Sequence, residues 1–352
     1  MAKSGNAGGE NLSPTEFLAK KYFDQAEKSF TGDGVPVDFG KAFAGYTQSA
    51  KLGYAPAIFS LGVCYIRGYG VKPDEKRAYE LIKQASDAGN IDAQFTLGHF
   101  YFEGSVVERD YDKAVEIFRD AADKGHPGGM NDLGFCYQRG LGVEQDDAKA
   151  FECFFQAAQA EFAAAQNNVG DCYNFGRGVE ADAEKAFLYY YRAAQGGYSP
   201  AQNNLGMCYL NGCGVKADFA QAVHWFEEAG KLGNAVSVAN LGFCYEMGKG
   251  VEKNAEKAVQ LYTIASDAES APGHYNLAKC LRDGVGAKPD PDRAFSLFKR
   301  AAEQSFVLAY ADLSVCYRDG VGTKPDPELA EKYKALAESV GHPVPVPKPE
   351  NK

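Results

Sequence analysis

Glycine recurs every 36 residues along this chain, at Gly32, Gly68, Gly104, Gly140, Gly176, Gly212, Gly248, Gly284 and Gly320. Three residues behind it come Val35, Val71, Val107, Val143, Val179, Val215 and Val251, then Ala287 and Thr323. Alanine keeps the same step from Ala42 to Ala330, and no insertion or deletion breaks the register. Such a period belongs to a repeat protein, in which each unit buries its apolar face only by stacking on its neighbours. The expected fold is therefore all-α, an α-α superhelix or solenoid of about nine helix-pair repeats.

Each unit reads as two helices. Ala201, Leu205 and Tyr209 lie four apart and share one helical face. Gly212 ends that helix by supplying the left-handed cap conformation, and Val215 is expected to plug back between the helices. A second helix starts from a capping side chain that accepts from its free N–H groups. The cap position holds Asp38, Asp74, Asp110, Asp146, Asp182, Asp218, Asn254, Asp290 and Asp326. Pro291 and Pro327 follow two of these caps at the first helical position, where a missing N–H costs nothing. Ala222, Phe226 and Ala229 then share a face: the alanines let helices approach, and the ring fills the gap. Burying a side chain of that size stabilises by roughly 1.5–3 kcal/mol. The ends look like caps, with Gln25, Ala26 and Ser29 in the first helix and Glu331, Lys332 and Lys334 in the last.

Composition excludes several function classes. A net charge of −10 repels phosphate backbones, so no nucleic acid partner is expected. No stretch approaches the roughly 20 apolar residues a membrane helix needs, and Met1 to Glu10 show no apolar signal region. The expected compartment is cytoplasmic, with the nucleus open, and no direct membrane insertion is expected. Residues 1–12 are expected to be a disordered N-terminus, 13–341 the solenoid, and 342–352 a Pro-rich tail. That tail, from Pro343 to Pro349, should be extended and polyproline-like.

The unit A-x3-L-G-x2-Y-x2-G-x-G-V, then D-x2-K-A and A-A-x2-G, resembles the Sel-one-like repeat family, a close relative of the tetratricopeptide repeat. It is written most fully from Ala201 through Leu205, Gly206, Tyr209, Gly212 and Gly214 to Val215, with Lys185-Ala186 and Ala193-Ala194-x2-Gly197 supplying the rest. The resemblance covers residues 13–341 and departs from the pattern at Ala278, Ser314 and Leu281. It implies a protein-interaction scaffold or adaptor, with a protein or peptide as partner. It also leaves two alternatives, a fixed structural subunit of a large assembly and a cell-wall or β-lactam hydrolase.

No residue pattern nominates a catalyst, cofactor or metal. Cys64, Cys136, Cys172, Cys208, Cys244, Cys280 and Cys316 obey the period, with Phe100 in the interior unit that lacks one, and read as small buried hydrophobes. One secreted branch of the family bridges its helices with paired cysteines, and this chain lacks the second of each pair. Cys153 and Cys213 fall out of register, the latter in a loop. No C-x2-C or H-x3-H pair occurs, and His99, His126, His224, His274 and His342 are scattered. The Gly-x-Gly loops follow helices and lack the ending of a phosphate loop.

One clue to binding remains. The residue before the core leucine is Ser60, Thr96, Asp132, Asn168, Asn204, Asn240, Asn276 and Asp312. It lies about 100° from the leucine stripe, off the buried face. In the related tetratricopeptide family this register faces the inner concave wall, where asparagines of some members grip the main chain of an extended peptide. Other positions expected on that wall are Asn131, Phe135, Gln138 and Arg139, then Asn167, Asp171, Asn174 and Phe175, then Asn203, Met207 and Asn211. Amide contacts at about 0.5–1.5 kcal/mol each orient a ligand; Phe135, Phe175 and Met207 would supply the affinity. On this reading, Asn168→Ala with Asn204→Ala weakens binding and leaves the melting temperature unchanged.

Overall fold

The computed structural model describes residues 12–342; the expected disordered start and polyproline tail lie, but for their innermost residues Leu12 and His342, outside the described residues. Eighteen helices and no strand are found among the described residues. They are α1 (Pro14–Thr31), α2 (Phe39–Lys51), α3 (Ala55–Arg67), α4 (Glu75–Asp87), α5 (Ile91–Glu103) and α6 (Tyr111–Asp123). Next come α7 (Pro127–Arg139), α8 (Asp147–Gln159), α9 (Ala163–Phe175), α10 (Ala183–Gln195), α11 (Ser199–Asn211) and α12 (Phe219–Lys231). The rest are α13 (Ala235–Met247), α14 (Ala255–Asp267), α15 (Ala271–Asp283), α16 (Pro291–Glu303), α17 (Leu308–Asp319) and α18 (Pro327–Ser339). The fold is the expected all-α solenoid of helix pairs.

By packing, the chain divides into two compact units. The first runs to Ala165 and includes Arg177–Val179; the second is Gln166–Gly176 and the described residues from Glu180 on. In the first, each helix packs on the next from α1 to α8, and in the second from α10 to α18.

The caps are where the sequence puts them. Asp218 accepts from the Ala220 and Gln221 amides at 3.0 Å, and its own amide donates to the Tyr209 carbonyl at 2.9 Å, closing the turn. The other eight cap residues accept in the same way. Gly212 stands at φ +72°, the left-handed cap. The second glycine of the turn has a different reason: at Gly214, φ is +68° and a side chain would overlap the Ala183 carbonyl, the start of the preceding repeat's second helix. One glycine stops a helix, and the other lets repeats stack closely.

Between the helices of a pair, the glycine after leucine meets a large side chain. A methyl group at Gly206 would sit 2.6 Å from Phe226 Cε1, and that ring is fully buried. Tyr46, Ile82, Phe118, Phe154, Tyr190, Tyr262 and Phe298 fill the same register, each buried. The departure at Ser314 is explained here. Its register partner is Lys334, which brings no ring, and the Ser314 hydroxyl donates to the Ala330 carbonyl at 2.8 Å. The loop valines pack as expected in the interior turns, among them Val71, Val143 and Val251, while Val35 in the first turn is exposed.

Candidate protein-docking site

The residues singled out by sequence lie on the first helix of each pair, and the structure separates them into braces and presented groups. Asn167 belongs to the braces. It was expected on the binding wall, but it is only 6% exposed. Its Oδ1 accepts from Asn204 Nδ2 at 3.0 Å, and its Nδ2 donates to Asp171 Oδ2 at 3.3 Å. A buried amide stripped of water must find such partners, and Asn167 spends its carbonyl and one N–H on them. The next repeat repeats the device: Asn203 Oδ1 accepts from Asn240 Nδ2 and from Ser237 Oγ, each at 2.9 Å.

The asparagine ladder is therefore first an inter-repeat clasp, with a rung at one position held by the residue before the rung of the preceding repeat. Each of these clasps joins an asparagine one place before a rung to the asparagine rung of the next repeat, Asn167 to Asn204 and Asn203 to Asn240. Ala239 precedes Asn240, so Asn276 has no such amide to meet. Farther on, Asp312 pairs with Arg282 instead. Losing Asn204 would remove the partner of the Asn167 carbonyl, so Asn204→Ala is expected to lower stability.

Within the second unit, α9, α10 and α11 enclose a cavity of about 260 Å³. Asp171, Asn174, Phe175, Tyr190, Asn204, Met207, Cys208, Asn211 and Cys213 line it. Six of these were named from sequence. Tyr190 was missed: its ring is buried at 3% exposure, and its hydroxyl donates to Asp171 Oδ1 at 2.7 Å. Burial and the Asp171 carboxylate push its phenol far above the ordinary range. Tyr46 with Glu27 and Tyr262 with Glu246 show the same rule, each bond 2.6 Å: where this register carries tyrosine, its hydroxyl donates to a carboxylate of a first helix. Phe175 is 61% exposed and Asn174 and Asn211 are exposed, while Asn204 and Met207 are half-buried. The cavity therefore combines apolar anchors with amides.

In the first unit a cavity of about 260 Å³ lies among α5, α6 and α7, lined by His99, Phe102, Glu103, Phe118, Asp132 and Phe135. These are the same register positions two repeats earlier. Asp132 and Phe135 were named from sequence; the other four were missed, although the period alone identifies them as counterparts of Asp171, Asn174, Phe175 and Tyr190. Asp132 accepts from Asn131 Nδ2 at 2.9 Å and lies 2.9 Å from His99 Nε2. Arg139 is exposed with its guanidinium 5.7 Å from the Phe135 ring centroid, and Gln138 is half-buried beside it in sequence. Asn168, Asn240 and Asn276 are half-buried and line neither cavity.

The cysteines are poor chemistry. All seven in register are buried and unbridged, Cys153 is half-buried, and Cys213 is exposed. Burial pushes the thiols of Cys136 and Cys208 up to about 12 and those of Cys64, Cys244, Cys280 and Cys316 up to about 11. Since the thiolate is the nucleophile, such groups stay protonated and inert near neutral pH. Among the described residues, no His, Cys, Asp or Glu cluster could hold a metal ion, and no helix is long and apolar enough to cross a membrane.

Comparison with known proteins places this architecture. The model of the Sel1 repeat matches nine times in succession, from residues 29–54 through 307–337. A search of curated proteins found no match. Among solved structures, the chain is similar to c5321, a protective antigen of uropathogenic Escherichia coli strains with an SLR fold. The identity there is 27% and the TM-score 0.61, over 93% of this chain and 79% of that one. It is similar also to a Sel1 repeat protein from Oxalobacter formigenes, at 27% identity and TM-score 0.62, over 69% of this chain and 96% of that one. A signal-transduction ATPase of Pyrococcus horikoshii with a tetratricopeptide repeat sensor shares the fold, at 14% identity and TM-score 0.51, over 94% of this chain and 54% of that one. Proteins built of such repeats generally mediate protein–protein interactions, and the scaffold is typically non-enzymatic. With nine matched repeats covering most of its length, the chain belongs to the Sel1 repeat family.

Proposed function

We propose that the protein is a scaffold or adaptor that holds a partner protein on the face of its first helices, with an extended peptide segment of the partner lying across the α9–α11 cavity. The observation that carries this reading is the company Phe175 keeps. A phenylalanine 61% exposed stands at a cavity whose other walls include Met207 and the amides of Asn174, Asn204 and Asn211. Exposed apolar anchors framed by donor–acceptor amides suit a peptide, because an amide matches a main-chain unit without reading its side chain. Asn204 spends one N–H on its brace, and that brace fixes the orientation of the rest of the amide. A pre-oriented amide loses less freedom on binding than a free one.

The test uses the full chain as bait. Phe175→Ala and Asn211→Ala change exposed residues, so both variants should fold as the parent does. Capture of the parent's client should fall at least tenfold for Phe175→Ala. Client capture identical in both variants and parent would end this reading. Washing the captured client with salt separates an adaptor, whose client comes off, from a fixed subunit of a larger assembly, which stays in stoichiometric amount.

A further inference from the structure

We infer that the cavity of the first unit, among α5, α6 and α7, is an aromatic cage that seats one basic side chain, a lysine or arginine, of the partner protein. The inference rests on the docking-face reading and adds the chemistry of one contact.

Three rings build the cage. Phe118 is buried at 1% exposure, and Phe102 stands 6.2 Å from it and 6.2 Å from Phe135, the latter pair edge to face at 65°. The three rings line one cavity, and a π face attracts a cation through its quadrupole. Two carboxylates, Asp132 and Glu103, and the imidazole of His99 beside Asp132 complete the lining. Asp132 already accepts from Asn131 Nδ2 and lies 2.9 Å from His99 Nε2, and a cation adds a partner to this half-buried carboxylate where an apolar guest would only screen it from water. The chain itself gives the precedent, since the Arg139 guanidinium already sits 5.7 Å from Phe135.

Size and charge agree. About 260 Å³ is less than the roughly 300–1,000 Å³ of small-molecule sites and suits a single long side chain. The net charge of −10 draws a basic partner toward this surface and repels an acidic one. The equivalent cavity of the second unit holds Asn174, Tyr190, Asn204 and Met207 at the positions of Phe102, Phe118, Asp132 and Phe135, so it has no cage. The preference for a cation is specific to the first unit.

The experiment is a fluorescence-polarisation titration of the full chain with short labelled Gly-Ser peptides carrying one central arginine, lysine, norleucine or glutamate. Arginine and lysine peptides should bind about 2- to 30-fold more tightly than norleucine, the span of one cation–π contact, and glutamate most weakly. Asp132→Asn, which preserves shape, and Phe135→Leu, which preserves apolar bulk at an exposed position, should each erase that preference while the unfolding temperature holds. Equal binding of norleucine and lysine overturns the proposal, as does a preference that survives both substitutions. Binding of tetramethylammonium with no preference for lysine peptides would mean a free quaternary ammonium site, which also overturns it. These outcomes are independent of client capture by Phe175→Ala, so the cage can fail while the docking face stands.

Discussion

At one and the same register of the repeat, the two units carry cavities of equal size and contrary character. In the first unit His99, Phe102, Phe118, Asp132 and Phe135 make an aromatic, acid-rimmed hollow. In the second unit Asp171, Asn174, Tyr190, Asn204 and Met207 make an amide-lined one whose exposed anchor is Phe175. The backbone that shapes both is set by the glycines, alanines and capping aspartates of the repeat, which do not change. What differs is a handful of side chains that the repeat leaves unspecified. In a solenoid, stacking requires only the buried stripe and the turns, so the remaining positions are open to vary and each repeat can carry its own recognition chemistry.

The contrast can be strained most severely from beneath. A methyl group at Gly98 would stand 2.5 Å from Phe118 Cε1, and one at Gly170 2.6 Å from Tyr190 Cδ1. Overpacking of this kind costs about 1–3 kcal/mol. The Tyr190 ring is tethered at its far end by the bond to Asp171 and cannot swing aside, whereas Phe118 carries no such tether. Gly170→Ala should therefore lower the denaturation midpoint more than Gly98→Ala; equal losses would show that the tether adds no rigidity.

Next in size is Asn204→Ala, expected to cost about 1–3 kcal/mol because the Asn167 carbonyl loses its partner. Its counterpart Asp132→Asn, in a half-exposed pair with His99, should cost under about 1 kcal/mol. Chemical denaturation of the two variants side by side tests whether the rung is a clasp in the second unit only. Tyr190→Phe follows, at about 0.5–1.5 kcal/mol for one hydrogen bond. Pairing it with Asp171→Asn in a double-mutant cycle measures the bond itself, and additive losses would remove it as a stabilising contact. Smallest in stability is Phe175→Ala, within about 0.5 kcal/mol at so exposed a position, although its effect on client capture should be the greatest of the set. A large fall in melting temperature for this variant would mean that Phe175 is structural.

Much of this was legible in the residues. The 36-residue step of glycine, alanine and aspartate foretold the helix pairs, the left-handed caps and the nine cap side chains, because each rests on a local rule of backbone conformation or end-capping. The same step made the seven cysteines read as buried. The site was legible only in outline. Asn174, Phe175, Asn204, Met207 and Asn211 were placed on one wall by what the family resemblance implies for this register, and they share a cavity. Spacing could not tell that Asn167, one residue earlier than Asn168, turns inward to clasp the next repeat, nor that Tyr190 and Phe118 reach a first-helix cavity from second helices.

The amino-acid order thus determined the modules, their boundaries and their buried stripe, since those follow from contacts within a few dozen residues that recur unchanged. Tertiary structure alone decided which polar groups on the first helices are consumed in holding repeats together and which stay available. That division depends on side chains from helices a full repeat apart meeting at hydrogen-bond distance, and on water being excluded where they meet, neither of which a one-dimensional spacing encodes.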